Sequence, residues 1–284
     1  MRDPITVPAV KVRKGGPKLK MTTAYDAPTA RIAERAGADI ILVGDSVANV
    51  VLGYEDTLSV TIDDMVHHTA AVTRTRPSAL VVGDMPWMSY HLSAEDTVRN
   101  AGRLVREGGA GAVKLEGGRK RLDMVEALLS AEIPVMGHLG LTPQSVHSMG
   151  GYKVQGKQVA AARDLIEDAK ALDGAGVFSI VLEGVPATLA QLVTKEVSAP
   201  TIGIGAGPHC DGQVLVLHDI LGLSDGPAPK FVRAYADLGG EASKALERFF
   251  DDVQTGAFPA EEETYHMPEE AISELLREEG PSES

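Results

Sequence analysis

The stretch from 79 to 138 contains three runs of the same kind: ALVVGD (79–84), GAVKLE (111–116) and IPVMGH (133–138). Each run is short, mostly apolar and rich in β-branched residues, and each ends in an ionisable residue. Continuous apolar runs are typical of parallel strands that are covered on both faces. Segments with helical periodicity separate the runs, for example SAEDTVRNAGRLVRE (93–107), in which Ser93 and Asp96 predict a helix start and Gly108 its end. This stretch therefore predicts alternating strands and helices.

Five more runs extend the pattern to both sides: KLKMTTAYD (18–26), DIILVGD (39–45), FSIVLE (178–183), PTIGIG (200–205) and QVLVLHD (213–219). Eight such units indicate a (β/α)8 TIM barrel, an α/β fold, as a single domain. Only about one helical turn fits between the seventh and eighth runs, so that connection is expected to be abbreviated. For the same reason a doubly wound open sheet stays the structural alternative. We expect an N-terminal segment (1–17), the catalytic barrel (18–260) and an acidic, partly disordered C-terminal extension (261–284) that includes a short amphipathic helix.

Composition excludes several classes of protein. The formal net charge of −13 disfavours nucleic-acid binding, which needs clustered Lys and Arg against the phosphate backbone. No run of 18 or more apolar residues predicts a membrane span, and the first 20 residues lack the apolar centre of a secretory signal. A cytoplasmic protein is the expectation. The single cysteine, Cys210, receives no functional role.

Ionisable residues stand at or just beyond the carboxyl ends of most predicted strands. Taken singly, each is more often a helix cap or a solvated loop acid than a catalyst. In a barrel, however, these ends converge on the face where the active site is built, so the recurrence favours a functional site. The residues are Asp26, Asp45, Asp84, Glu116, His138, Glu183 and Asp219.

Asp45 and Asp84 end neighbouring strands, so both carboxylates could face one cation. Two carboxylates with room for waters and substrate oxygens suit Mg²⁺, and Glu116 could reach the metal directly or through water. Lys114 lies two residues before Glu116 and therefore points to the same face of the strand. It is an ion-pair partner or an electrophile that holds an anionic substrate, and a Schiff-base role is disfavoured because nearby acids keep it protonated. Glu183 is then the acid left for a general base.

Two loops on the same face are rich in glycine. The run GIGAG (203–207) is explained better by tight packing at the barrel rim than by a phosphate cradle, because it lacks the GxGxxG spacing. The long segment 140–157 is a lid, a cofactor-binding loop or a plain surface excursion. Lys153 and Lys157 give it local positive charge, which would suit an anionic substrate or a glutamate tail.

Long motifs in this order resemble the ketopantoate hydroxymethyltransferase family from about Lys14 to about Tyr265. They are TAYD (23–26), LVGDS (42–46), TLSVTIDDMVHHTAAV (57–72), GDMPWMSY (83–90), VKLEGG (113–118), GHLGLTPQSV (137–146), GGYKVQGK (150–157), LEGVP (182–186) and IGIGAG with DGQVLVLHD (202–219).

The resemblance implies a barrel of the phosphoenolpyruvate/pyruvate superfamily that uses one Mg²⁺ per subunit. It implies transfer of a hydroxymethyl group from 5,10-methylenetetrahydrofolate, or a related pterin, to 3-methyl-2-oxobutanoate through an enolate, the first committed step towards pantothenate and coenzyme A. Residue by residue, it implies metal ligation by Asp45, Asp84 and Glu116, substrate contacts from Asp45, Ser46, Asp84 and Lys114, and Glu183 as the base. The family's self-association implies a homo-oligomer, a decamer.

Two rival functions stay open. A lyase of the same superfamily would share the metal and enolate chemistry, but such enzymes commonly need a loop Cys, and Cys210 is not in a comparable motif. A noncatalytic barrel retained for binding is the other alternative, although no proposed ligand or base is missing.

Overall fold

The computed structural model describes residues 3–151, 153–224, 226 and 228–278. Its parallel sheet closes into a barrel in which each strand pairs with the next and the last pairs with the first. The predicted (β/α)8 TIM barrel is thereby confirmed, and the open-sheet alternative is wrong. Within the described residues the strands are β1 (Leu19–Thr23), β2 (Ile40–Val43), β3 (Leu80–Asp84), β4 (Ala112–Glu116), β5 (Val135–Gly140), β6 (Ser179–Glu183), β7 (Thr201–Ile204) and β8 (Gly212–Leu215).

Helices occupy the intervals between most strands. Described α-helices are α1 (Val7–Lys11), α2 (Ala27–Arg35), α3 (Val47–Val50), α4 (Ile62–Thr73), α5 (Ala94–Arg106), α6 (Leu122–Ser130), α7 (Val146–Met149), α8 (Val159–Ala175), α9 (Ala187–Glu196), α10 (Leu217–Leu221), α11 (Leu238–Thr255) and α12 (Glu269–Glu278). Short 3₁₀ turns cover Arg119–Arg121, Pro143–Ser145 and Glu261–Glu263. Helix α5 begins where its cap predicts, because the Ser93 hydroxyl accepts a hydrogen bond from the Asp96 amide at 3.1 Å.

The end of the barrel departs from the prediction at one strand. The connection between β7 and β8 has no helix, as expected from its length. However, the run 213–219 is not one strand: pairing with β1 ends at Leu215, and α10 begins at Leu217. The Leu217 amide donates to the Thr23 hydroxyl at 3.0 Å, so the chain leaves the sheet there. An apolar run cannot by itself distinguish a strand end from a buried helix.

Alternate residues along each strand fill the barrel interior from its floor towards its mouth. On β3, Leu80 and Val82 belong to the interior apolar cluster, and Asp84 follows them on the same face. On β6, Val181 belongs to that cluster and Glu183 follows. A larger apolar cluster packs between the strands and the helices. The barrel therefore sets polar groups on an apolar floor at its carboxyl-terminal face.

The chain divides into a compact unit through Ala236 and a second unit from Asp237 onward. The second unit contains α11, which has no buried residue, and α12, which confirms the helix predicted in the acidic extension. The end expected to be disordered, 279–284, lies outside the described residues, and the boundary after residue 260 stays a prediction. None of the described helices is long and apolar enough to span a membrane.

Candidate active site

Strand register assembles a band of ionisable side chains around the barrel mouth. Asp84 on β3 pairs with Lys114 on β4, and Glu116 on β4 pairs with His138 on β5. Because Lys114 and Glu116 are two apart on one strand, they point to the same face, as predicted. Glu183 is the last residue of β6, and it pairs with Gly140 on β5.

Lys114 stands at the centre of this band. Its Nζ lies 2.8 Å from Asp84 Oδ1, 3.9 Å from Glu116 Oε1 and 3.3 Å from His138 Nδ1. All four side chains are at least 95% buried, so water screens these charges weakly. One ammonium group therefore serves two neighbouring carboxylates in a dry environment.

Asp45 enters the band from the loop after β2. Its main-chain amide donates to Asp84 Oδ2 at 3.1 Å, which brings Asp45 next to the Asp84 carboxylate. Its own Oδ2 accepts a hydrogen bond from Gln144 Nε2 at 2.9 Å.

Burial and the neighbouring charges shift the pKa values of the groups in this band. Burial raises the pKa of Asp84 to about 7 against the lowering effect of Lys114, and burial also raises the pKa of Asp45. Burial lowers the pKa of Lys114, but Asp84, Glu116 and Asp45 together hold it above its ordinary value. The carboxylates therefore compete for the charge of one ammonium.

His138 connects this cluster with Glu183. Its Nδ1 lies 3.3 Å from Glu116 Oε1, and its Nε2 lies 3.2 Å from Glu183 Oε2. Burial and Lys114 lower the pKa of His138, but the contacts with Glu116 and Glu183 outweigh them and raise it to about 9. The imidazole is therefore protonated at neutral pH and carries a second positive charge in the site.

Ser46 follows Asp45 and stands at the start of α3. Its hydroxyl lies 2.8 Å from the hydroxyl of Tyr25, a fully buried residue. Burial raises the pKa of Tyr25, so this contact joins two neutral hydroxyls. Ser46 is thus held in place by a buried tyrosine.

The band opens into a cavity of about 1210 Å³. The structure brings every proposed site residue to its wall: Asp45, Ser46, Asp84, Lys114, Glu116 and Glu183. Lys153, from the segment after β5, and Lys230 also line it. A cavity lined by the acidic band and by lysines can accept a cation and an anionic ligand together.

Two other strand-end acids have different positions. Asp26 caps α2, and its carboxylate accepts hydrogen bonds from the Thr29 amide at 2.8 Å and the Thr29 hydroxyl at 2.6 Å, outside the cavity wall. The commoner capping role therefore applies to this residue. Asp219 lines the cavity, but from α10 rather than from a strand end, and it accepts a hydrogen bond from Ser224 Oγ at 2.6 Å.

The glycines of 203–207 are explained by packing, as expected. Gly205 and Gly207 have positive φ angles of +62° and +77°. A Cβ atom would lie 2.7 Å from the Phe231 ring at Gly205, and 2.4 Å from Ala187 Cβ at Gly207. Backbone approach to these neighbours requires glycine at both positions.

Sequence reasoning assigned no role to three residues that shape the site: His138, Tyr90 and Gln144. His138 had the strand-end position as a signal. Gln144 lies in the segment 140–157, in the 3₁₀ turn Pro143–Ser145, and is buried against the acids. Its only signal is a polar residue in a loop that follows an active-face strand.

The donor set is compatible with a hard divalent cation that also takes ligands from water and substrate. Asp84 Oδ1 and Glu116 Oε1 are buried, and their nearest positively charged neighbours are the Lys114 ammonium at 2.8 Å and the His138 ring at 3.3 Å. In the described part of the chain, no group of three or more Asp, Glu, His or Cys side chains is placed to hold a metal ion by itself. Two carboxylates completed by water and substrate oxygens are a usual Mg²⁺ arrangement, whereas structural Zn²⁺ requires a closed set.

The chain is similar to a single family of known enzymes over nearly its whole length. Residues 5–261 match the family model described as "Ketopantoate hydroxymethyltransferase". A 3-methyl-2-oxobutanoate hydroxymethyltransferase of Syntrophomonas wolfei is 56% identical over 95% of this chain and 99% of its own length. The enzyme of the same name from Koribacter versatilis is 56% identical over 89% of this chain and 86% of its own length.

Solved structures agree on the fold. The phosphoenolpyruvate phosphomutase of Streptomyces platensis subsp. rosaceus has a TM-score of 0.58 at 14% identity and covers 96% of both chains. A 2,3-dimethylmalate lyase has a TM-score of 0.58 at 16% identity, over 96% of this chain and 91% of its own. At such identities the likeness extends to the barrel alone.

Proposed function

The chain belongs to the ketopantoate hydroxymethyltransferase family, and from this we propose that it transfers a hydroxymethyl group to 3-methyl-2-oxobutanoate and forms 2-dehydropantoate. The product is ketopantoate, on the route to pantothenate and coenzyme A. The observation that carries the proposal is identity of 52–56% over nearly the whole chain to enzymes of that name. The acidic cavity supplies groups that this chemistry needs.

We propose that Asp45 and Asp84 bind Mg²⁺ and that Glu116 is the third metal-associated carboxylate. Their support is the shared burial of the three carboxylates and their common position in the wall of the cavity. When bound, Mg²⁺ supplies Lewis-acid polarisation of the keto group.

The remaining steps belong to side chains of this protein. Ser46 and Lys114 would contact the 2-oxo acid, with the Lys114 ammonium next to the oxygen on which negative charge develops. Glu183 would take the proton from C3, and the electron pair of that C–H bond moves towards the keto oxygen. C3 then bonds to the one-carbon unit of 5,10-methylenetetrahydrofolate or a related pterin, and the two C–N bonds that held this unit break. Water supplies the hydroxyl oxygen, and one proton from water and the proton taken from C3 end on the two carrier nitrogens.

His138 would orient the base. Its Nε2 lies 3.2 Å from Glu183 Oε2, and its protonated ring can donate there while Nδ1 faces Glu116. This contact holds one carboxylate oxygen of Glu183 and leaves the other for the substrate proton.

We further propose a cytoplasmic homo-oligomer, a decamer. Helix α11 supports self-association because none of its residues is buried and it exposes Leu246, Phe250 and Val253. Exposed apolar clusters of this kind are typical of subunit interfaces. Light scattering would measure the mass, and a monomer at micromolar concentration would contradict this assignment.

The test of function is ketopantoate production from 3-methyl-2-oxobutanoate, Mg²⁺ and methylenetetrahydrofolate. Deuterium exchange at C3 without folate isolates proton removal from carbon transfer. Glu183→Gln should lower both rates about 10²–10⁴-fold, the usual contribution of a general base. Asp26→Asn is the matched control, because Asp26 also follows a strand but caps α2 outside the cavity wall.

Full exchange in Glu183→Gln would contradict the assigned base. No exchange and no ketopantoate from the unaltered protein would contradict the proposed reaction. Full activity after exhaustive chelation would contradict the metal.

A further inference from the structure

The Gln144 side chain, from the segment after β5, reaches across the barrel mouth to the acids of β2–β4. Its Nε2 donates to Asp45 Oδ2 at 2.9 Å and to Met85 O at 3.0 Å. Its main-chain N–H donates to Glu116 Oε2 at 3.1 Å. One residue therefore bonds to the residues that follow or end three successive strands.

Tyr90 fixes the orientation of the Gln144 amide. The Tyr90 hydroxyl donates to Gln144 Oε1 at 2.5 Å and accepts from the Glu116 amide at 3.3 Å. Burial raises the pKa of Tyr90, so its hydroxyl keeps its proton and stays a donor. Since Oε1 is occupied as an acceptor, both hydrogens of Nε2 are directed towards Asp45 and Met85.

In two of the carboxylates, Gln144 bonds to one oxygen and leaves the other oxygen for a different partner. On Asp45, Oδ2 is bonded to Gln144. On Glu116, Oε2 is bonded to Gln144, while Oε1 is buried and lies 3.3 Å from His138 Nδ1. A carboxylate held by one oxygen presents the other in a fixed direction, and donors of this kind tune the affinity of a metal site.

We propose that Gln144, oriented by Tyr90, is the positioning residue that holds Asp45 and Glu116 in the arrangement that binds the divalent cation. The proposal rests on the proposed function, because it takes these acids as the metal-associated groups. Neither residue touches the reacting atoms; both act through the carboxylates.

The test uses Mn²⁺ as the probe, with its Kd measured by calorimetry on the full-length protein without substrate. Gln144→Met keeps the side-chain volume and the main-chain bond to Glu116 but removes all three side-chain hydrogen bonds. We expect its Kd for Mn²⁺ to rise about 10–100-fold, and kcat to recover at saturating Mn²⁺. Rescue by metal distinguishes positioning from general damage to the fold.

Tyr90→Phe keeps the ring and removes the hydroxyl. Its Kd should rise less than that of Gln144→Met, and the double variant should bind Mn²⁺ about as weakly as Gln144→Met alone, because Tyr90 acts mainly through Gln144. Thr194→Val is the matched control: it removes a hydroxyl that contacts Thr201 Oγ1 at 2.7 Å, at the opposite end of the barrel. Its Kd should equal that of the unaltered protein.

A Kd within twofold of the unaltered protein in Gln144→Met would overturn the proposal, whatever the melting temperature. Failure of the unaltered protein to bind Mn²⁺ would overturn both this proposal and the metal assignment. If the unaltered protein binds Mn²⁺ and Gln144→Met weakens it, the proposal holds even where no ketopantoate forms, and only the proposed reaction fails.

Discussion

Replacing Lys114 with Met tests whether the buried ammonium stabilises the acids around it. Lys114 Nζ lies 2.8 Å from Asp84 Oδ1, and both side chains are almost fully buried. Removing one partner of a buried ion pair costs about 3–5 kcal/mol, because the other charge is left without compensation. With roughly 2–4 °C per kcal/mol for a unit of this size, the metal-free melting temperature should fall by roughly 6–20 °C.

The loss should depend on pH. The raised pKa of Lys114 means that its stabilising charge is fully present below its unfolded value of 10.5 and is lost only above its folded value. The folded pKa of Asp84 is raised to about 7, so its ionisation lowers the free energy of unfolding as the pH rises from 3.8 towards 7. Lys114 lowers the pKa of Asp84, so without it this pH range extends to higher pH. The variant should therefore lose more stability at pH 8 than at pH 6.

The assay is thermal unfolding in chelator and in millimolar Mg²⁺. The variant should gain more from Mg²⁺ than the unaltered protein does, because the cation replaces the missing positive charge. Lys170→Met is the matched control: Lys170 contacts Glu196 at 3.0 Å, similar to the pair in the site, but both side chains are exposed. Its melting temperature should not change measurably. An unchanged melting temperature for Lys114→Met in chelator at pH 8 would refute the reasoning.

Three further outcomes are expected. Affinity for Mg²⁺ should increase from pH 6 to pH 8, and binding should release protons, because the pKa of Asp84 is raised to about 7 and protons therefore compete with the metal. Calorimetry in buffers of different ionisation enthalpy measures the affinity and the number of protons released. An affinity that does not change with pH would contradict the prediction. Tyr25→Phe should raise KM for the 2-oxo acid roughly 2–10-fold with little change in kcat, because Ser46 loses a 2.8 Å contact; an unchanged KM in steady-state kinetics would count against it. Cys210 should react with a thiol reagent only after unfolding, because it is buried and burial raises its pKa; rapid labelling of the native protein would contradict this.

The barrel and its acids were predictable because both follow from local pattern. Apolar runs that end in an ionisable residue place that residue at the carboxyl edge, and Asp84, Glu116 and Glu183 meet there for this reason. Spacing alone also oriented Lys114, two residues before Glu116. Asp26 shows the limit of this strand-end rule. It also follows a strand, but it caps α2 through a reciprocal hydrogen-bonded pair with Thr29, three residues later.

Gln144 and Tyr90 could not be predicted in the same way. Tyr90 and Gln144 bond to each other across 54 residues of sequence, and Gln144 bonds to Asp45 across 99, so no spacing rule connects them. The start of α10 was missed for a related reason, because the Thr23 hydroxyl that accepts a hydrogen bond from the Leu217 amide lies on β1, 194 residues earlier in the sequence. Contacts between distant segments depend on how the closed barrel brings its loops together.

Charge balance explains why a divalent cation fits this site under the proposed function. Four formal negative charges come from the carboxylates of Asp45, Asp84, Glu116 and Glu183. Lys114 and protonated His138 bring two positive charges, which leaves a deficit of two positive charges. One divalent cation cancels that deficit on an apolar floor, where uncompensated charge is costly. Transfer of the C3 proton to Glu183 then leaves the total charge unchanged and moves one negative charge from the base to the substrate oxygen beside Lys114. The carboxylate of the 2-oxo acid adds one negative charge both before and after this proton transfer, so the site holds the enolate at the same total charge as the bound substrate.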